Sequence, residues 1–174
     1  MLRNLLLRDE NGIQLPLFQV PRYCIDASAL INLTKYPGYP REIFPAIWEK
    51  LEEMVKRGEL ISHIEVYRKI EKRKDKIYQW CKQNKKMFKD IDDCQQQKMP
   101  QIEREYDPAY WRTQMNKDEP WADPWLIALS ICEDAIIITD EKTNPNHIPS
   151  IAKTFQKQCL NLLDFFKEVG IKYE

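Results

Sequence analysis

Apolar positions along this chain recur with two periods. From Phe44 to Arg57 they fall at Phe44, Ile47, Trp48, Leu51, Met54 and Val55, the spacing that lines one side of a helix. Gly58 follows and predicts a left-handed stop. Elsewhere the apolar runs are short and unbroken. Tyr23 to Ile25, Glu59 to Ser62, Ala135 to Thr139 and Cys159 to Asn161 each read as a strand. The continuous apolar character of Ala135 to Thr139 suits a strand covered on both faces. Helices are predicted from a Ser28 cap to about Leu33, from Ile64 to about Lys74, and over Asp123 to Glu133. Two more run from a Ser150 cap to Gln156 and from Leu162 to Val169, where Gly170 ends the chain's last helix. Strand and helix alternate, which predicts an α/β protein: one three-layer α/β/α domain with a mostly parallel central sheet.

Two stretches depart from that rhythm. Near the N-terminus, Asn11-Gly12 lies between apolar runs and favours a tight turn, so residues 1–20 are expected to form a β-hairpin extension. Leu5-Leu6-Leu7 is too short for a membrane span. The second departure is a helical insertion over residues 66–120, within the single domain of residues 1–174. Its first part is basic, with Arg68, Lys69, Lys72, Arg73, Lys74, Lys76, Lys82, Lys85, Lys86 and Lys89 against Glu71 and Asp75, and Tyr78, Trp80 and Phe88 between them. Such a stretch either binds an RNA backbone and stacks bases or is an ordinary solvated helix face. Cys94 to Met99, rich in glutamine, reads as a polar connector.

Charge and composition narrow the classes. Lys plus Arg and Asp plus Glu are 27 each, so the net charge is zero and a globally basic nucleic-acid binder is excluded, though not a local patch. The five cysteines are scattered without a C-x-x-C, which predicts reduced thiols in a cytoplasmic protein rather than a disulfide frame or zinc site. There is no glycine-rich phosphate loop and no G-x-S-x-G elbow.

The candidate chemistry lies in acids placed at chain reversals. Asp26 follows the first strand, Asp140 and Glu141 follow the Ala135 to Thr139 strand, and Asp123 opens an apolar helix. Ligands of parallel sheets bind beyond the carboxyl ends of the strands. Acids gathered there without a cationic partner in their own segments call for a cation, and oxygen ligands suit Mg²⁺ or Mn²⁺. Ser28 and Thr139 stand beside them, and Glu65 opens the helix after the second strand. Each has a plainer reading: Asp26, Ser28 and Asp123 as helix caps, Glu65 as favourable charge on a first turn, Asp140 and Glu141 as a solvated turn.

Three segments carry a family resemblance. Asp26-Ala27-Ser28-Ala29-Leu30-Ile31, Ala122-Asp123-Pro124-Trp125-Leu126-Ile127-Ala128 and Thr139-Asp140-Glu141 resemble, in order and spacing, the acidic motifs of PIN-domain nucleases, over roughly residues 22–170. The similarity is closest to a PIN-like branch with a long helical insertion. The resemblance implies a Mg²⁺- or Mn²⁺-dependent endoribonuclease, often the toxin of a toxin–antitoxin pair, that leaves a 5′-phosphate and a 3′-hydroxyl. It further implies Asp26, Asp123 and Glu141 as metal ligands, Asp140 as the fallback for Glu141, and Ser28 as the hydroxyl beside the first acid. RNA would be held by Arg68, Lys69 and Lys72, with Thr139 near the acids. A homodimer and a cognate antitoxin protein are expected partners on the same ground. One departure stands out. The family's usual glutamate on the helix after the second strand falls near Arg68 or Lys69, with Glu65 three or four residues earlier on the same face. That departure motivates the alternative, a catalytically silent PIN-like protein that binds RNA or a protein.

Overall fold

Five short strands set the frame: β1 (Tyr23–Ile25), β2 (Leu60–His63), β3 (Phe88–Lys89), β4 (Ile136–Ile138) and β5 (Cys159–Leu160). In the computed structural model, which describes residues 20–35 and 37–171, they pair side by side in the order β3-β2-β1-β4-β5, every pair parallel. Tyr23 aligns with both Leu60 and Ile136, and Ile25 with Ile138. The hairpin expected over residues 1–20 lies outside the described residues except for Val20.

Among the described residues the helices are α1 (Ala27–Thr34), α2 (Pro45–Arg57), α3 (Ile64–Glu71), α4 (Lys76–Gln83), α5 (Asp93–Glu105), α6 (Pro108–Met115), α7 (Asp123–Cys132), α8 (Ile148–Thr154) and α9 (Leu162–Glu168). Helices cover both faces of the sheet, giving the three-layer α/β/α architecture. Helix α2 buries its apolar stripe, Ile47, Trp48, Leu51, Met54 and Val55, and ends on Gly58 at φ 72°, a conformation that a side chain would strain. Helix α7 is apolar nearly all round because it lies across β1, β2 and β4 and carries α5 and α8 on its outer side.

The topology places a crevice. From β1 the chain steps to β2 and β3 on one side, while β4 and β5 build outward on the other. Strand order therefore reverses between β1 and β4, and their carboxyl ends open a switch point of the kind where such sheets bind ligands.

Three expectations need correction. The segment Cys94 to Met99 is not a connector but the start of α5, capped by the Asp92 carboxylate through the Gln95 amide at 2.9 Å. Its glutamines sit on exposed turns, apart from Gln95, whose buried side chain bonds the His63 ring at 2.9 Å. Neither predicted serine is a cap: Asp26, not Ser28, caps α1, and Ser150 lies inside α8, whose N-cap position is His147. Finally, Cys94 and Cys132 form a disulfide, leaving Cys24, Cys81 and Cys159 as thiols. Helices α5 and α7 pack antiparallel, so a cysteine early in one meets a cysteine late in the other, a pairing invisible in linear spacing. That bond removes the ground on which a reducing cytoplasm was inferred. Among the described residues no helix is long and apolar enough to cross a membrane.

Candidate functional site

Asp26 leaves β1 at the switch point, fixed by its own amide bonding the Ile138 carbonyl at 2.8 Å. Its carboxylate is almost fully buried and saturated with donors. It accepts from the Ala27 amide at 2.5 Å, the Ser28 amide at 3.2 Å, the Ser28 hydroxyl at 2.6 Å and the Thr139 hydroxyl at 3.1 Å. Ser28 Oγ also receives the Asp140 amide at 3.1 Å, and Thr139 Oγ1 the Glu141 amide at 3.2 Å. The two hydroxyls are thus rivets between the β1 and β4 ends.

Asp123 is not a cap. Ala122 holds the N-cap position of α7 and Asp123 is the first helical residue, 7% exposed, with Pro124 behind it. Burial pushes its carboxyl up to about 7, and the nearby charges of Asp26 and Glu141 push the same way; Lys69 opposes them. Glu141 is raised by burial and by Asp26, and is held back by a bond from the Ile148 amide (3.0 Å) and by Lys69. Asp26, Asp123 and Glu141 therefore share one electrostatic environment, into which α3 sends the ammonium of Lys69.

The other predicted residues separate from this group. Asp140 turns away: its carboxylate accepts from Asn32 Nδ2 at 2.8 Å and from the Leu162 amide at 2.9 Å. It lines a different cleft, of about 570 Å³, with Tyr39, Asn161 and Leu163. Asp140 is a structural brace rather than a fallback ligand, because both oxygens are engaged in holding β4, α1 and α9 together. Glu65 forms an ion pair with Arg68 on its own helix. Lys72 is exposed at the end of α3. The aromatic residues expected to stack bases in the basic stretch are mostly core: Trp80 and Phe88 are buried, and Trp80 donates to Glu52 at 3.1 Å.

A wall that the motifs do not announce stands beside the acids. Tyr106, Tyr110, Trp111 and Trp121 pack ring on ring, with centroids 4.8 to 6.2 Å apart. The Trp121 indole faces Asp123 closely enough to favour its ionised form, yet without the geometry of a made hydrogen bond. The Asp107 amide bonds Asn146 Oδ1 at 2.7 Å, which fastens the α5–α6 elbow to the turn before α8. Next in that turn, His147 Nδ1 lies 3.9 Å from Glu141 Oε2. Among the described residues the buried side-chain polar atoms without a hydrogen bond are Tyr106 Oη, Trp121 Nε1 and His147 Nδ1, all on this wall. A sequence signal existed: Tyr106, Tyr110 and Trp111 fall at helical spacing, and Trp121 is two residues before Asp123.

The donor chemistry of the acid group is that of hard oxygen ligands: Asp123 and Glu141 are carboxylates whose ionised forms are disfavoured by burial and by the Asp26 charge. Among the described residues no three acid, histidine or cysteine side chains converge tightly enough to encircle an ion.

Fold and site together define an α/β protein with buried acids at the switch point of a parallel sheet. The chain belongs to the DUF4411 family, described as a domain of unknown function, whose model matches residues 23–173. Among solved structures it is similar to PAE2754 from Pyrobaculum aerophilum, at 13% identity and a TM-score of 0.44, over 88% of this chain and 100% of that one. No curated protein matches it.

Proposed function

We propose that this protein is a PIN-type, metal-dependent endoribonuclease, acting as the toxin of a toxin–antitoxin pair. The observation that carries the reading is the placing of Asp26, Asp123 and Glu141 at the β1–β4 switch point, where burial and then the charges of Asp26 and Glu141 raise Asp123, and burial and then Asp26 raise Glu141. Acids placed so are stabilised by a bound cation.

Asp123 and Glu141 would hold the Mg²⁺ or Mn²⁺, with Asp26 directed from behind by its four donors. The ion, when bound, supplies a water of lowered pKa and charge stabilisation at the phosphate. Ser28 and Thr139 keep the Asp26 carboxylate fixed. Lys69 supplies positive charge where a strand's phosphates would pass, with Arg68 and Lys72 farther along α3. A homodimer and an antitoxin that covers the acids belong to the same proposal, as does a cytoplasmic site of action. That last element now depends on Cys94 and Cys132 being oxidised there.

The test is cleavage of single-stranded and structured RNAs by purified protein in Mg²⁺, Mn²⁺ or EDTA, beside Asp123→Asn. Metal-dependent cleavage lost in the variant supports the reading; equal turnover by the variant sinks it. A second reading is favoured by Lys69, which brings its own cation to the acids: a protein that binds RNA without cutting it. RNA retention with no cleavage in any metal would favour that one.

A further inference from the structure

Buried hydroxyl and indole groups nearly always find partners, because an unmet one forfeits its hydration. Tyr106 is 3% exposed, and its hydroxyl has no partner. A phenylalanine would fill the same ring position without that penalty. Trp121 Nε1 and His147 Nδ1, on half-buried residues, also lack a hydrogen bond, His147 Nδ1 lying 3.9 Å from Glu141 Oε2. Chain connectivity shows how the three come together. Tyr106 touches Trp121, whose chain leads directly to Asp123, at 5.2 Å between rings. On its other side, Tyr106 precedes Asp107, which is bonded to Asn146, and His147 follows beside Glu141. The unmet groups therefore span from the Asp123 arm to the Glu141 arm of the acid group. Burial first, and then the charges of Asp123 and Glu141, oppose ionisation of the Tyr106 phenol, which keeps it a donor.

Resting on the nuclease reading, we infer that Tyr106 Oη, Trp121 Nε1 and His147 form a donor subsite for a phosphate oxygen of an unpaired RNA strand held against the acids. Phenol and indole hydrogens seek an anionic or carbonyl oxygen, and among the described residues no oxygen meets Tyr106 Oη or Trp121 Nε1 with hydrogen-bond geometry. At the rim, the half-buried rings of Tyr110 and Trp111 offer faces to an unstacked base. A duplex, whose bases are stacked on one another, cannot use them.

The test compares wild type with Tyr106→Phe in three measurements: thermal melting, tryptophan fluorescence titration with a short single-stranded oligoribonucleotide in EDTA, and kcat/KM in Mn²⁺. The same oligoribonucleotide annealed to its complement is the duplex control. Removing one hydrogen bond to a charged oxygen should weaken single-strand binding by about ten- to a hundredfold. The melting temperature should hold or rise, since an unmet polar group is lost. Unchanged single-strand affinity in Tyr106→Phe overturns the subsite, whatever happens to melting. Equal binding of duplex and single strand overturns its strand preference. If wild type binds the single strand through Tyr106 but cuts nothing, the subsite stands and the nuclease reading falls. Cleavage that is unaffected by Tyr106→Phe does the reverse.

Discussion

Two aromatic clusters in this molecule are built alike and end differently. The first is the core pair Trp48 and Trp80, rings 5.7 Å apart, and in the same core Tyr67 packs on Phe88. Its indoles are satisfied: Trp48 Nε1 donates to the Tyr39 carbonyl at 2.8 Å and Trp80 Nε1 to Glu52 at 3.1 Å. Lys85 lies over the Tyr67 ring, 5.2 Å from its centroid. The second cluster, Tyr106 through Trp121, packs as closely but leaves its hydroxyl and indole unmet beside two carboxylates. Packing alone thus does not separate a core from a site wall; the fate of the polar atoms does. A core closes its hydrogen bonds on itself, and a binding wall keeps some for a visitor.

The sharpest way to break the contrast is to remove one acid at the wall. Asp123→Asn should reduce RNA cleavage at least about a thousandfold, roughly 4 kcal/mol of transition-state stabilisation, measured as kcat/KM with Mn²⁺. Next in size, Trp80→Ala in the first cluster should destabilise the fold by about 3–5 kcal/mol in urea denaturation. The protein that remains folded should keep its activity. A large activity loss there would mean that the first cluster is no mere core.

The pH response separates the two regions further. The Asp123 carboxyl titrates near 7 in the fold and in the ordinary acid range when unfolded. Its raised pKa means that the folded state holds the extra proton, so this group's contribution to stability grows as pH falls from about 7 to about 4. The buried His63 ring, which Gln95 bonds, is held down at about 4 by loss of solvent. Its contribution is lost as pH falls from about 6.5 toward 4, because the unfolded ring takes a proton first. The two slopes oppose each other in the wild type. Asp123→Asn should remove the larger of the two raised-carboxyl slopes and leave that of Glu141, so its melting temperature should fall further on acidification than the wild type's. Mn²⁺ should raise the wild-type melting temperature more at pH 8 than at pH 5, since protons on Asp123 compete with the ion. The smallest effect is expected from Lys69→Ala, which removes the resident cation; Mn²⁺ affinity by calorimetry should rise several-fold.

Much of this could be read along the chain. Four of the five strands, the α2 stripe and the Gly58 stop follow from local pattern, whereas β3, two residues inside the stretch read as helical, does not; Asp26, Asp123 and Glu141 were legible as acids at chain reversals. What separated Asp140 from Glu141 was not. Neighbours on a turn point apart, and only the Leu162 amide and Asn32, brought in from distant elements, show which one is a brace. Cys94 and Cys132 stayed hidden for the same reason, as did helix α5, whose glutamine-rich turns carry little apolar period beyond Met99 and Ile102. The Tyr106 wall was hidden because its meaning lies in bonds not made.

The disulfide between Cys94 and Cys132 has a mechanical consequence. Together with the chain between them it closes a covalent ring, and the ring's far side carries the exposed run Asn116 to Glu119. A protease that cuts there would release nothing. The clipped molecule should migrate as one band on a non-reducing gel and as two fragments once dithiothreitol is added, with Tyr106 on one piece and Asp123 on the other.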